Sequence, residues 1–170
     1  MTSTDQPPTD AMDRMIAQWR RERPDLDLEA MAIFGRLGRL TAHLGAAIDR
    51  TFAARGLQRG EYDVLAALRR SGEPFSLTPS ALSDTLMLSR AGMTNRLDRL
   101  ESAGLINRRH NQQDRRSMHI DLTPAGLQLV DETTTAHVAN ETQLLAGLSA
   151  DQRLSLNDLA RTLLGQFEQA

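Results

Sequence analysis

Cysteine is absent from this 170-residue chain, which rules out disulfides, thiolate metal sites and cysteine redox switches. Lysine is absent too, and all 20 basic residues are arginine. Arginine presents a planar fork of donors suited to phosphates and guanine edges, although a genome-wide coding bias is the simpler source of the preference. Aromatic residues make up only 4% of the chain, few for a surface built to grip another protein. No apolar run approaches the roughly 20 residues of a membrane-spanning helix. The first ten residues are polar and carry Pro7 and Pro8, without the basic start and apolar stretch of a secretory leader, so a cytoplasmic protein with no membrane partner is expected. His43, His110, His119 and His137 are scattered, with no pair at metal-ligand spacing on one helix, so no metal site is expected. There is no nucleophile motif, no glycine-rich phosphate loop and no paired carboxylates beside a histidine. The expectation is therefore neither an enzyme nor a cofactor protein.

Hydrophobic residues are 40% of the chain and charged residues 25%, the balance of a globular protein with a real core. The net charge is −2, but it is unevenly spread. From Leu86 to His119 there are seven arginines and three acids, a local +4 that leaves −6 on the remainder. One cationic surface on an acidic body is the distribution to explain.

Periodicity predicts a mainly helical chain. A short helix over Ala11–Arg21 carries Met12, Met15, Ile16 and Trp19 on one side and stops at Pro24. A long helix over Leu28–Arg55 repeats Leu37, Leu40, Leu44, Ile48 and Phe52 at spacings of three and four, with Gly35, Gly38 and Gly45 allowing another helix to approach. Glu61–Arg70 reads as a third helix. Thr78-Pro79 opens a short fourth helix to Leu86, and Ser89 is placed to cap a fifth running to Ala103. Leu105–His110 and Met118–Leu122 suit two strands around the polar turn Asn111–Arg116. Thr123-Pro124 caps a long helix with Leu127, Val130, Val138, Leu145 and Leu148 roughly on one face. Ser149–Gln152 has the form of a capping box before a last helix.

Helix, short helix, tight turn, helix and hairpin is the order of a helix-turn-helix with a wing. In the second of the paired helices, Met93, Leu97 and Leu100 form a narrow inward edge. Ala91, Gly92, Asn95 and Arg99 lie opposite, where Asn95 can pair with adenine and Arg99 can reach guanine or phosphate. Ser89, Arg90 and Thr94 sit at the helix start, where free backbone N–H groups favour phosphate. Taken alone, the same wheel fits an ordinary amphipathic helix equally well. The hairpin shifts the balance. Its tip holds Asp114-Arg115-Arg116 between Arg109 and the next strand, whereas a tip that merely closes a sheet more usually carries Asn-Gly or Asp-Gly. Arginines on a projecting wing suit a narrow minor groove.

The stretch Ser89–Leu100 (SRAGMTNRLDRL), with Gly104-Leu105-Ile106, Asp114-Arg115-Arg116-Ser117 and Leu122-Thr123-Pro124-Ala125-Gly126, resembles the MarR family of bacterial regulators. The resemblance implies that Asp114 orients Arg116 into the minor groove, that Arg96 joins the DNA face, and that the terminal helices form a dimer. Trp19–Asp27, in a helix that most of the family lacks, is similar to the urate-responsive subgroup. That likeness implies an effector site of Trp19, Asp63, Arg96 and Arg108. The residues leave blander roles open: Trp19 as a helix anchor, Asp63 as an ion-pair partner, Arg96 on phosphate and Arg108 in the wing.

The expected fold is mainly α with a small β wing, a winged helix-turn-helix joined to a helical dimerisation lobe. The expected divisions are a tail at 1–10, N-terminal helices at 11–56, a DNA-binding lobe at 57–122 and C-terminal dimerisation helices at 123–170. The expected partners are a pseudo-palindromic DNA operator, a second copy of the chain and a small anionic effector such as urate. The rival reading is a winged-helix module that binds protein and takes no small ligand.

Overall fold

The computed structural model describes residues 9–86, 90–110 and 118–168; of Arg90 and Ala91 it describes the backbone. It divides into two compact units, residues 1–46 and 47–170, with the boundary inside the second helix.

In the first unit, helix α1 (Ala11–Glu22) starts at a reciprocal cap. Asp10 accepts from the Asp13 N–H at 2.9 Å, and the Asp13 carboxylate accepts from the Asp10 N–H at 2.8 Å. Met12 and Ile16 are the buried residues of α1. Helix α2 (Glu29–Ala53) passes close by. Its Gly35 lies so near the Met12 thioether that a Cβ there would require the methionine end to shift. Arg36 of α2 reaches back to Asp10 at 2.8 Å and Asp13 at 2.5 Å, tying the start of α1 to α2. The Arg36 hydrogen bond, together with the Asp13 N–H, holds the Asp10 carboxyl at about 2 against an ordinary 3.8.

In the second unit, α3 (Arg59–Arg70) begins two residues earlier than the periodicity alone suggests. Gln58 and Glu61 close a capping box, the Glu61 carboxylate accepting from the Gln58 N–H at 2.7 Å. Then follow β1 (Ser76–Leu77), α4 (Pro79–Leu86), α5 (Arg90–Ser102), β2 (Ile106–His110), β3 (Met118–Leu122), α6 (Pro124–Leu144) and α7 (Ala150–Glu168). The strands form an antiparallel sheet in the order β1-β3-β2, with Ser76 opposite Asp121 and Arg108 opposite Ile120. The two-residue β1 is too short to leave a period-2 signal in the sequence. Glycines at positive φ follow the ends of α2, α3 and α5, at Gly56, Gly72 and Gly104.

The core gathers Phe52, Leu65, Leu68, Leu82, Met93, Leu100, Ile106, Ile120 and Val130. Phe52 and Tyr62 stack at 4.3 Å between centroids, and His137 of α6 packs against both rings. Thr123 caps α6 through the Gly126 N–H at 3.0 Å, as its sequence position predicts. The α6 residues expected roughly on one face differ in burial: Val130 is buried and Val138 exposed. Helix α7 buries no residue at all. The helices and wing match the expected fold class.

Candidate nucleic-acid interface and effector site

Helix α5 turns Met93, Leu97 and Leu100 into the core, all at least 96% buried, so its remaining faces are set. Thr94 and Asn95 are exposed on it. On one flank, two arginines one turn apart face α3. Arg99 Nη2 lies 2.7 Å from Glu61 Oε1. Arg96 lies against Gly60, so close that a Cβ there would collide with the guanidinium, and its charge acts on Asp63. On the other flank, two acids of α5 face β2. Arg108 lies 2.5 Å from Asp98 and 3.4 Å from Glu101. The recognition helix is thus held by ion pairs of opposite polarity on its two sides.

Asp63 is half-buried, and burial pushes its carboxyl up. Arg96 is the strongest influence holding it down, followed by Arg59, Arg70 and His137. Of these arginines, Arg59 is itself paired with Asp49 at 2.8 Å. On α6, His137 Nδ1 and Asn140 Nδ2 are buried without hydrogen-bond partners, a state that costs free energy until a partner is supplied. At the base of the wing, burial pushes the Asp121 carboxyl up, but hydrogen bonds from Arg109 and Ser76 outweigh it and the net shift is downward.

Of the residues expected at the DNA face, Thr94, Asn95, Arg96 and Arg99 sit on one helix. Ser89 and the wing tip Asp114, Arg115 and Arg116 lie outside the described residues, as does the side chain of Arg90. Of the effector set, Asp63 and Arg96 come together. Arg108 is on the wing flank of the same helix, and Trp19, 41% exposed, belongs to the first unit. Sequence reasoning missed Glu61, which is 5% exposed. Its place at the third position of a capped helix was legible, but its burial under Arg99 was not. Among the described residues, no group of histidines, aspartates and glutamates could hold a metal ion. No described helix is long and apolar enough to cross a membrane.

A profile of the MarR family matches residues 55–117, the stretch that runs from α3 through β2. Over 154 residues the chain is 40% identical to the HTH-type transcriptional regulator PecS of Dickeya dadantii, covering 91% of this chain and 90% of that one. The protein belongs to the MarR family. It is a DNA-binding transcription regulator, and its relatives are regulators rather than enzymes. Among solved MarR structures, a variant of MarR from E. coli complexed with operator DNA superposes with a TM-score of 0.65 at 22% identity, over 86% of this chain and 97% of that one, a likeness of fold. BpsR of Bordetella bronchiseptica, described for regulation of its DNA binding by 6-hydroxynicotinic acid, superposes at 0.64 with 25% identity, over 76% and 97%.

Proposed function

We propose that this MarR regulator is a cytoplasmic repressor that binds a pseudo-palindromic operator as a homodimer and is released by a small planar anion, urate or a related acid. One observation carries the reading: Asp63 of α3 is half-buried and, among its charged neighbours, Arg96 of α5 acts on it most strongly. An anion entering there competes with Asp63 for Arg96 and draws on the helix that reads DNA. Arg108 offers the same exchange on the wing flank, since an anion can take the place of Asp98 and Glu101 there. His137 and Asn140 supply buried polar atoms in need of partners. Trp19 offers a ring for a planar ligand to stack on. A heteroaromatic acid regulates the DNA binding of BpsR, which is the chemical class expected here.

At the DNA face, Asn95 reads a base, Ser89, Arg90 and Thr94 hold phosphate, and Arg115 and Arg116 enter the minor groove with Asp114 orienting the latter. The ligand acts only through its preference for the DNA-free shape, and couplings of about 1–3 kcal/mol are typical. The test is binding to a labelled operator duplex, titrated with urate, xanthine, citrate and trans-aconitate. Urate or another of these acids should lower the affinity between five- and a hundredfold, roughly the range of such couplings. Trp19→Phe should blunt that response while leaving ligand-free binding near the parent value, and Arg108→Ala should blunt it relative to that variant's own ligand-free binding. If no acid shifts the affinity, or if both variants respond as the parent does, the effector site is elsewhere.

A further inference from the structure

Glu61 is a carboxylate with both oxygens engaged and almost no solvent. Oε2 accepts from the Gln58 N–H at 2.7 Å, closing the first turn of α3, and Oε1 receives Arg99 Nη2 at 2.7 Å. The Glu61 side chain is 7% exposed and that of Arg99 53% exposed. The pair therefore differs from the exposed ion pairs elsewhere on the chain. Pulling Arg99 away strands a buried charge, whereas an exposed pair simply regains water. A phosphate contact at a solvated surface returns less than that loss. Beside it, Gly60 is shaped to accept Arg96, so the first turn of α3 is the seat of both Arg96 and Arg99.

We infer that Glu61 and Arg99 form the fixed anchor of the recognition helix, and that Arg99 positions Asn95 for DNA reading instead of contacting DNA. The physical distinction is between exchangeable and permanent partners. The Arg108–Asp98 pair, and Arg96 acting on Asp63 through its charge, involve groups that are at least partly open to solvent and can trade partners. The Arg99–Glu61 pair cannot do so without stranding a buried carboxylate. Because Asn95 lies one turn before Arg99, the anchor fixes its rotation about the helix axis. This goes beyond the effector reading and does not depend on it.

The experiment compares the parent with Arg99→Met, Arg99→Lys and Glu61→Gln. The probes are the tightest duplex that the parent selects from a randomised pool and a scrambled duplex of the same composition, each over a series of salt concentrations. Arg99→Met and Glu61→Gln should each weaken the selected duplex by about tenfold, the scale of one mismatched base pair. Binding to the scrambled duplex and the salt slope should not change, and Arg99→Lys should recover part of the loss. A direct phosphate contact predicts the opposite: Arg99→Met weakening both duplexes alike and flattening the salt slope by about one unit, with Glu61→Gln harmless. That result, or no effect on either duplex, overturns the inference. Amide exchange across α5 in the DNA-free protein gives a second reading. It should quicken in Arg99→Met and Glu61→Gln, and unchanged protection also overturns the inference. Should Glu61→Gln fail to fold, the Arg99→Met and Arg99→Lys pair decides alone, since Arg99 is half-exposed.

Discussion

Gly126 shows how much a single residue can decide. It is the third residue of α6, and a Cβ there would strike the backbone carbonyl of Leu105 at the start of the wing. Backbone cannot swing aside as the end of a side chain can. Overpacking costs about 1–3 kcal/mol, while replacing a helical glycine by alanine gains back about 1 kcal/mol. So close a clash with backbone calls for the upper end of the overpacking range, so Gly126→Ala should lower stability by roughly 2 kcal/mol once the gain is subtracted, read from the urea midpoint. A variant as stable as the parent would mean that α6 and Leu105 are not in close contact. At Gly60 the same substitution meets only the guanidinium end of Arg96, a flexible group, so the obstacle there can move. The arginines repeat the lesson. Read along the chain, Arg96, Arg99 and Arg108 are free cations suited to phosphate or a ligand. In the folded protein each is paired with or faces an acid, and those acids lie mostly on other elements.

Helix α1 is held by one feature that responds to pH. The Asp10 carboxyl, held at about 2 when folded and ordinarily 3.8, contributes stability that is full above its unfolded value. That contribution fades as the pH falls from about 4 toward about 2. Trp19 is the only tryptophan of the chain and stands on the same helix, so its fluorescence reports on α1. The parent should show a Trp19 transition in that acid window. Asp10→Asn keeps a capping side chain but loses the charge paired with Arg36, and should show a smaller step there. Superimposable curves would mean that the Arg36 pairing contributes nothing to α1. The cap residues at Asp10, Thr78, Thr123 and Ser149 show why element boundaries were largely legible. A cap is a hydrogen bond across three residues, so its signal is local. Strand β1 was missed because its pairing with β3 joins residues 45 positions apart, Ser76 with Asp121.

At the scale of the molecule, α2 and α7 leave several large apolar side chains exposed. Ile33 and Phe34 on α2, and Leu154, Leu159 and Phe167 on α7, are between 48% and 74% exposed in the single chain. Patches of that kind on a monomer mark association surfaces. The mass in solution should be twice the 18.8 kDa of one chain, by sedimentation or light scattering. Leu159→Glu combined with Phe167→Glu should shift the population toward the single-chain mass. A parent that sediments as a monomer at working concentration would overturn the homodimer. In a dimer, each recognition helix meets one half-site, with centres about one DNA turn apart.

The sequence by itself determined the order of elements, the inward edge of α5 and the caps, because helical period and capping act over three or four residues. The motifs around Ser89–Leu100 and Leu122–Gly126 were enough to point to the family. Only the tertiary structure decided which acid holds which arginine. It buried Glu61 under Arg99, set Asp63 facing Arg96, and turned Arg108 onto Asp98 and Glu101. An ion pair needs two side chains within about 4 Å, and its worth depends on how far water is excluded from them. Both conditions are met only once α3, α5 and the wing have packed on one core.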